Sequence, residues 1–309
     1  MSFPAITIYT VLFTLAGRDP SKNKYVDMFY IWLSFLIRNA GLGSMDSVVI
    51  LIDAPTLDYI NSVSTLDILS EDITFQLVFD EIPVPANTSI GMCCRYTHSP
   101  MDTEFSLYLD LDILIMRNVH TLVKGCATLS ADLFIMPEGL LIDPNYGALI
   151  KSADWNAVGY TGCWLLYRND APKTLFKEIA DECIKNAATP FYTVDQPYYN
   201  LKIYQCLQST QPTIRISVMP DVMAMNLVYL KEETYFVNFC GDVGNEMNHF
   251  NKLLMMLCLC YSLPAGFKPM SSELREALDE RALTRSAAHQ AAAPALPGEG
   301  HSHTQSQSP

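Results

Sequence analysis

The chain is short of positive charge. It carries 20 lysines and arginines against 33 aspartates and glutamates, for a formal net charge of −13. That leaves no basic stripe for a nucleic acid and no electrostatic attachment to anionic lipid. It also lacks any Cys-x-x-Cys pair. Its nine cysteines (Cys93, Cys94, Cys126, Cys163, Cys183, Cys206, Cys240, Cys258 and Cys260) are odd in number and scattered, so a structural zinc site is not expected. Most sit among apolar residues, where free cysteine behaves as a small hydrophobe. The usage points to a reducing, cytoplasmic setting, for a cellular protein or one of viral origin. Asn87-Thr88-Ser89 matches a glycosylation sequon, which matters only in a secreted chain. No apolar run is long enough to span a membrane. Residues 6–15 lack a basic flank before them, so no signal peptide is expected. Residues 253–263 read as a buried helix. There are no internal repeats.

What is present is apolar and ordered. Half of the 309 residues are hydrophobic, enough for a sizeable core. Residues 5–13 and 47–54 are β-rich and read as strands, and 73–79 as a third. Residues 25–39 have helical apolar spacing and stop at Gly41-Leu42-Gly43; 56–63 and 92–96 read as short helices. This alternation implies an α/β fold with a mostly parallel sheet and helices on both faces.

Phe105-Ser106-Leu107-Tyr108-Leu109-Asp110-Leu111-Asp112-Ile113-Leu114-Ile115-Met116 reads as a strand buried on both faces. Two carboxylates interrupt it, and a buried carboxylate needs a partner. Residues two apart in a strand point to one side. A strand ending near Asp110 puts both acids at the carboxyl end, where open α/β sheets bind ligands. Two carboxylates there suit a hard divalent ion that keeps positions open for a diphosphate. An Asp-Leu-Asp turn at a strand end gives the same pattern.

The second half is less regular. Residues 131–136, 164–167, 214–219 and 235–241 read as strands, and 171–186 and 193–207 as helices. The latter helix opens at Asp195-Gln196-Pro197, with proline in its first turn. After about residue 266 the composition changes, and from Ala287 it is Ala, Pro, Gly, Gln, Ser and His. That tail has too little apolar surface to order itself beyond one helix-prone stretch, 271–285.

Four features together resemble a GT-A glycosyltransferase of the nucleotide-diphospho-sugar transferase superfamily. The resemblance is to the glycogenin and galactosyltransferase-like group (family eight) and its relatives in families thirty-four and seventy-seven, over residues 5–255. The first is the DxD motif Asp110-Leu111-Asp112, with Arg95 fifteen residues before it. The second is Gly159-Tyr160-Thr161-Gly162, like the family's small-residue segment before a strand. The third is Asp195-Gln196-Pro197-Tyr198-Tyr199-Asn200, and the fourth Asn238-Phe239-Cys240-Gly241, like the family's His-Phe-x-Gly.

The resemblance implies a hexosyltransferase using a UDP-sugar donor and a carbohydrate acceptor, with retention, in residues 1–265. Residues 1–120 would form the nucleotide half, 121–265 the sugar and acceptor half, and 266–309 a tail. It implies Mn²⁺ or Mg²⁺ held by Asp110, Asp112 and Asn238 or His249, acting as a Lewis acid on the leaving diphosphate. Asp195 and Gln196 would face the reacting carbon. Tyr9, Thr10, Arg95, Asp110, Thr161, Gly162, Asn200 and Gly241 would contact the donor, and Trp155, Tyr160 or Trp164 would stack on a sugar. Two positions depart from the pattern. Asn238 stands where the family has a metal-binding His, and Gly244 where it has a diphosphate-binding Lys, with His249 and Lys252 just beyond. Two other readings stay open. One is a haloacid-dehalogenase-type phosphatase with Asp110 as nucleophile; the other is a non-catalytic relative that binds sugar or nucleotide.

Overall fold

In the computed structural model, the residues described are 4–151, 157–191, 193–225, 231–239 and the single positions 252, 253, 255, 256, 259, 276, 277 and 280. Among them a seven-stranded sheet runs in the order β3-β2-β1-β4-β7-β6-β8. Its strands are β1 (Ile6–Leu12), β2 (Ser47–Asp53), β3 (Gln76–Ile82), β4 (Phe105–Leu109), β6 (Leu133–Leu140), β7 (Val158–Arg168) and β8 (Ile216–Val218). The first four pair in parallel. β7 then runs antiparallel to both β4 and β6, so β6 points the same way as β4. The carboxyl ends of β1, β2, β4 and β6 therefore share one edge of the sheet.

Helices cover both faces, as the alternation implied. On one side α1 (Lys24–Asn39), α2 (Ala54–Asn61), α3 (Thr65–Ser70) and α5 (Val119–Ala127) pack onto one core with Ile6, Ile8 and Leu12 of β1. On the other, α4 (Thr88–Thr97), α7 (Lys173–Lys185) and α8 (Gln196–Gln208) enclose a second core with Tyr9 and Val11. The alternation of β1 side chains between these cores is the pleat of a strand buried on both faces.

Local chemistry sets the boundaries. α2 begins where Asp53 ends β2, because the carboxylate accepts from the Thr56 amide at 3.1 Å and the Thr14 amide at 2.8 Å. α4 starts four residues earlier than the apolar spacing indicates. Asn87 caps it by accepting from the Ile90 amide at 3.0 Å, which occupies the side chain of the sequon. α3, α5, the four-residue α6 (Pro144–Gly147) and β9 (Met223–Met225) were not read from the sequence.

The largest departure is in the acidic stretch. It is not one strand. β4 stops at Leu109, the chain turns through Asp110-Leu111-Asp112, and β5 (Ile113–Ile115) joins a separate three-stranded sheet in the order β5-β10-β9, with β10 being Phe236–Asn238. The turn closes on itself where the Ile113 amide donates to the Asp110 carbonyl at 3.0 Å. It is held from both sides by backbone bonds. The Asp110 amide donates to the Cys163 carbonyl on β7 at 3.0 Å, and the Phe239 amide donates to the Asp112 carbonyl at 2.9 Å. The chain breaks there because two charged groups cannot continue into a dry sheet.

The segment 159–162 is also strand, inside β7, rather than a turn before one. Its glycines sit where other side chains cross. A methyl group on Gly162 would lie 2.9 Å from Arg95 Nη2 and 3.3 Å from the Tyr96 hydroxyl. No helix among the described residues is long and apolar enough to cross a membrane. The tail beyond 280 lies outside the described residues, and so does most of the stretch 271–285.

Candidate active site at the carboxyl edge of the sheet

The turn after β4 brings Asp110 and Asp112 to the carboxyl edge of the parallel strands, and each acid meets its own cation. Arg95, from the last turn of α4, is 3 % exposed. It lies between two carboxylates, paired closely through Nη2 with Asp195 Oδ2 and through Nη1 with Asp110 Oδ1 at 3.4 Å. Its guanidinium carbon sits 5.1 Å from the centre of the Tyr96 ring and 5.2 Å from that of Tyr108. Asp195 also accepts from the Tyr96 hydroxyl at 2.7 Å, and Asp110 from the Tyr108 hydroxyl. Burial alone would weaken the Arg95 charge. Asp195, then Tyr96, Tyr108 and Asp110, outweigh it and hold the guanidinium ionised. Burial raises Asp110 above the ordinary carboxylate range; Arg95 pulls the other way, and Asp112 adds to the rise.

Asp112 is served from the far end of the chain. Lys252 Nζ lies 2.6 Å from Asp112 Oδ2, with side-chain exposures of 8 % and 13 %. Lys252 belongs to a helical stretch whose Leu253, Met256 and Leu259 pack into the same core as β5 and β10. That packing places the ammonium. Burial opposes its charge, but the Asp112 carboxylate holds its pKa above the usual value. Tyr25, at the start of α1, stands close by. Burial, then the Asp112 charge, push its phenol up to about 12.

The neighbouring strands complete the edge. Cys163 Sγ lies 2.7 Å from Thr161 Oγ1 and accepts from the Asn238 amide at 3.5 Å. Burial, then the charges of Glu138 and Asp110, push its thiol well up, so it is not a thiolate. Glu138 sits at the end of β6 near Thr161, Tyr146 and Asp112, and its carboxyl is raised, chiefly by burial. Gln196 reaches the Tyr146 hydroxyl. Asn200 is 1 % exposed and makes two bonds to one backbone unit. Its Oδ1 accepts from the Tyr160 amide at 2.7 Å, and its Nδ2 donates to the Tyr160 carbonyl at 2.8 Å.

No family model and no curated protein matches this chain. Among solved structures it is similar to mouse xyloside xylosyltransferase 1 in its apo form. The TM-score is 0.50 and the identity 11 %, over 79 % of this chain and 99 % of that one. The fold is GT-A. The mostly parallel sheet with helices on both faces, expected from the sequence, is that of a GT-A domain.

Within the GT-A frame the expected residues divide into three groups. Asp110, Asp112, Arg95, Asp195, Thr161, Gly162 and Asn238 come together at the edge. Four residues take structural positions. Tyr9 is wholly buried between Tyr108 and Tyr167 and donates to the Arg95 carbonyl at 2.9 Å. Its ring is core and not a cover for a nucleotide base, because its register on β1 turns it under α4 and α7. Thr10, on the opposite face, is fully buried, and its hydroxyl has no partner among the described residues. Asn200 stitches α8 to β7. Trp164 is a core residue, edge-on to Phe236 at 6.0 Å. Asp195, at 2 % exposure, faces Arg95 and Tyr96, not open space. Gly241, His249 and Trp155 lie outside the described residues.

The sequence reading missed Glu138, Tyr96 and Tyr108. The signal for Glu138 was an acid two residues after the apolar run Leu133-Phe134-Ile135-Met136, toward the carboxyl end of β6. Tyr108 is two residues before Asp110, so it projects to the same side.

Among the described residues, which do not include His249, the donor set does not fit the divalent ion that the resemblance implies. Asp112 is paired with a lysine, Asp110 with an arginine, and Asn238 turns an N–H toward sulfur. Among the described residues, no three His, Cys, Asp or Glu side chains group to hold a metal.

Proposed function

We propose that this chain is a glycosyltransferase that moves a hexose from a nucleotide-diphosphate sugar, a UDP-sugar, to a carbohydrate acceptor. Residues 1–120 form the nucleotide side and 121–265 the sugar and acceptor side. The observation that carries the reading is the convergence at one sheet edge. A paired acidic turn after β4, a buried arginine, a lysine and the polar ends of β6, β7 and α8 meet where α/β sheets bind ligands. The GT-A fold supports it, and the neighbour's name describes transfer of xylose to a xyloside. Retention at the transferred carbon is the outcome the family resemblance carries.

Glu138, bonded to Thr161 and Tyr146, and Gln196, bonded to Tyr146, would line the sugar site. Arg95 and Tyr96 stand behind them and hold Asp195 in place. Against the phosphatase reading stands Asp110 itself: an acid tied to Arg95 and Tyr108 is restrained as a nucleophile.

Ligand-induced stabilisation tests the proposal. A ligand at 100 times its dissociation constant raises stability by about 2.7 kcal/mol. UDP and at least one UDP-sugar should raise the melting temperature by a few degrees, while uridine does not. Equal melting with and without every nucleotide diphosphate would count against a donor site.

A further inference from the structure

We infer that this chain neutralises the diphosphate of its donor with its own lysine and does not require a divalent metal ion to bind it. The inference rests on the transferase reading above and departs from the metal dependence that the family resemblance implies.

Three observations carry it. Lys252 Nζ sits 2.6 Å from Asp112, the acid whose place in the DxD turn is that of a metal ligand, and both side chains are nearly out of solvent. Asp110, the other acid, already faces Arg95, which is committed to Asp195 on its other arm. Asn238, which stands where the family has His, has its amide nitrogen turned to Cys163 Sγ and offers a metal only a neutral amide oxygen.

A divalent ion placed on Asp112 would stand beside a buried ammonium. Two positive charges at such a distance repel strongly when water is excluded. Leu253 and Met256, buried in the core, anchor the backbone that carries Lys252 beside Asp112. The lysine thus occupies the position and does the electrostatic work of the ion. Lysine binds phosphate as a point charge with three donors. Asp112 fixes the ammonium at the sheet edge before the donor arrives, and the incoming diphosphate shares it. Arg95 and Lys252 already offset two of the three acids Asp110, Asp112 and Asp195 without a metal.

Calorimetric titration of the full chain with UDP, in excess EDTA and in excess Mn²⁺, tests this. The dissociation constant should differ by less than about threefold between the two. Lys252→Met should weaken binding by about tenfold or more in both conditions, as loss of a charged hydrogen bond does, and Lys252→Arg should restore most of it. Circular dichroism melting shows which variants remain folded. Should Lys252→Met fail to fold, the EDTA and Mn²⁺ comparison on the wild type decides alone. Binding that appears only with Mn²⁺, or that tightens tenfold or more with it, would overturn the inference and leave the transferase reading standing. No binding in either condition would overturn both.

Discussion

Arg95→Met should cost about 3–5 kcal/mol of folding stability, the usual loss when one partner of a buried ion pair is removed. Arg95 is 3 % exposed and spans Asp195 and Asp110. Methionine fills much of the same volume but leaves Asp195 buried with only the Tyr96 hydroxyl. An unpaired buried carboxylate then has to be protonated or dragged toward water. Arg95→Lys should rescue little. A single ammonium cannot reach two carboxylates on different elements and keep its place over the Tyr96 and Tyr108 rings. The double variant Arg95→Met with Asp195→Leu should recover part of the loss, because it removes both charges together. Urea unfolding of the four proteins measures it. A single-variant cost below about 1 kcal/mol would mean that the pair is held together by packing alone.

Asn200→Ala should cost about 2–5 kcal/mol, although it deletes only one small polar side chain. Asn200 satisfies the amide and the carbonyl of Tyr160 at once, from a site 1 % exposed. Each buried backbone group left without a partner costs about 1–3 kcal/mol. The bonds also fix α8 against β7, so Gln196 at the helix start should move relative to Thr161. Loss of transfer activity in this variant should therefore accompany loss of stability. Asn200→Asp keeps one acceptor and loses the donor, and should fall between. Guanidinium unfolding beside a turnover assay checks both. Full stability with lost activity would instead assign Asn200 to direct donor contact.

The sequence carried the first half of the fold well. β1, α1 and β2 were legible because each is an apolar run or stripe bounded by Gly, Pro or a capping acid. The parallel pairing of β1 to β4 follows from alternation. The antiparallel insertion of β7 between β4 and β6 does not, since strand order is set by contacts far apart in the chain. The acidic turn was visible as an anomaly in an apolar stretch, but its apolar flanks concealed that β4 and β5 belong to different sheets. At the site, Asp110, Asp112, Arg95 and Asp195 stood out by motif. The 140-residue separation of Asp112 from Lys252 hides that pair from any local pattern. Tyr9 and Asn200 matched expected positions, and their burial, which only the fold reveals, gives them structural work.

Donor turnover tests the central claim most directly. Release of nucleoside diphosphate from a panel of UDP- and GDP-sugars, followed by phosphorus NMR, should be seen with the wild type for at least one donor. The Asp112→Asn, Lys252→Met double variant should lose about a hundredfold or more of that rate, the scale of losing an electrostatic group that acts on developing charge. No release from any donor, or release undiminished in the double variant, would contradict the assignment of this sheet edge as a sugar-transfer site.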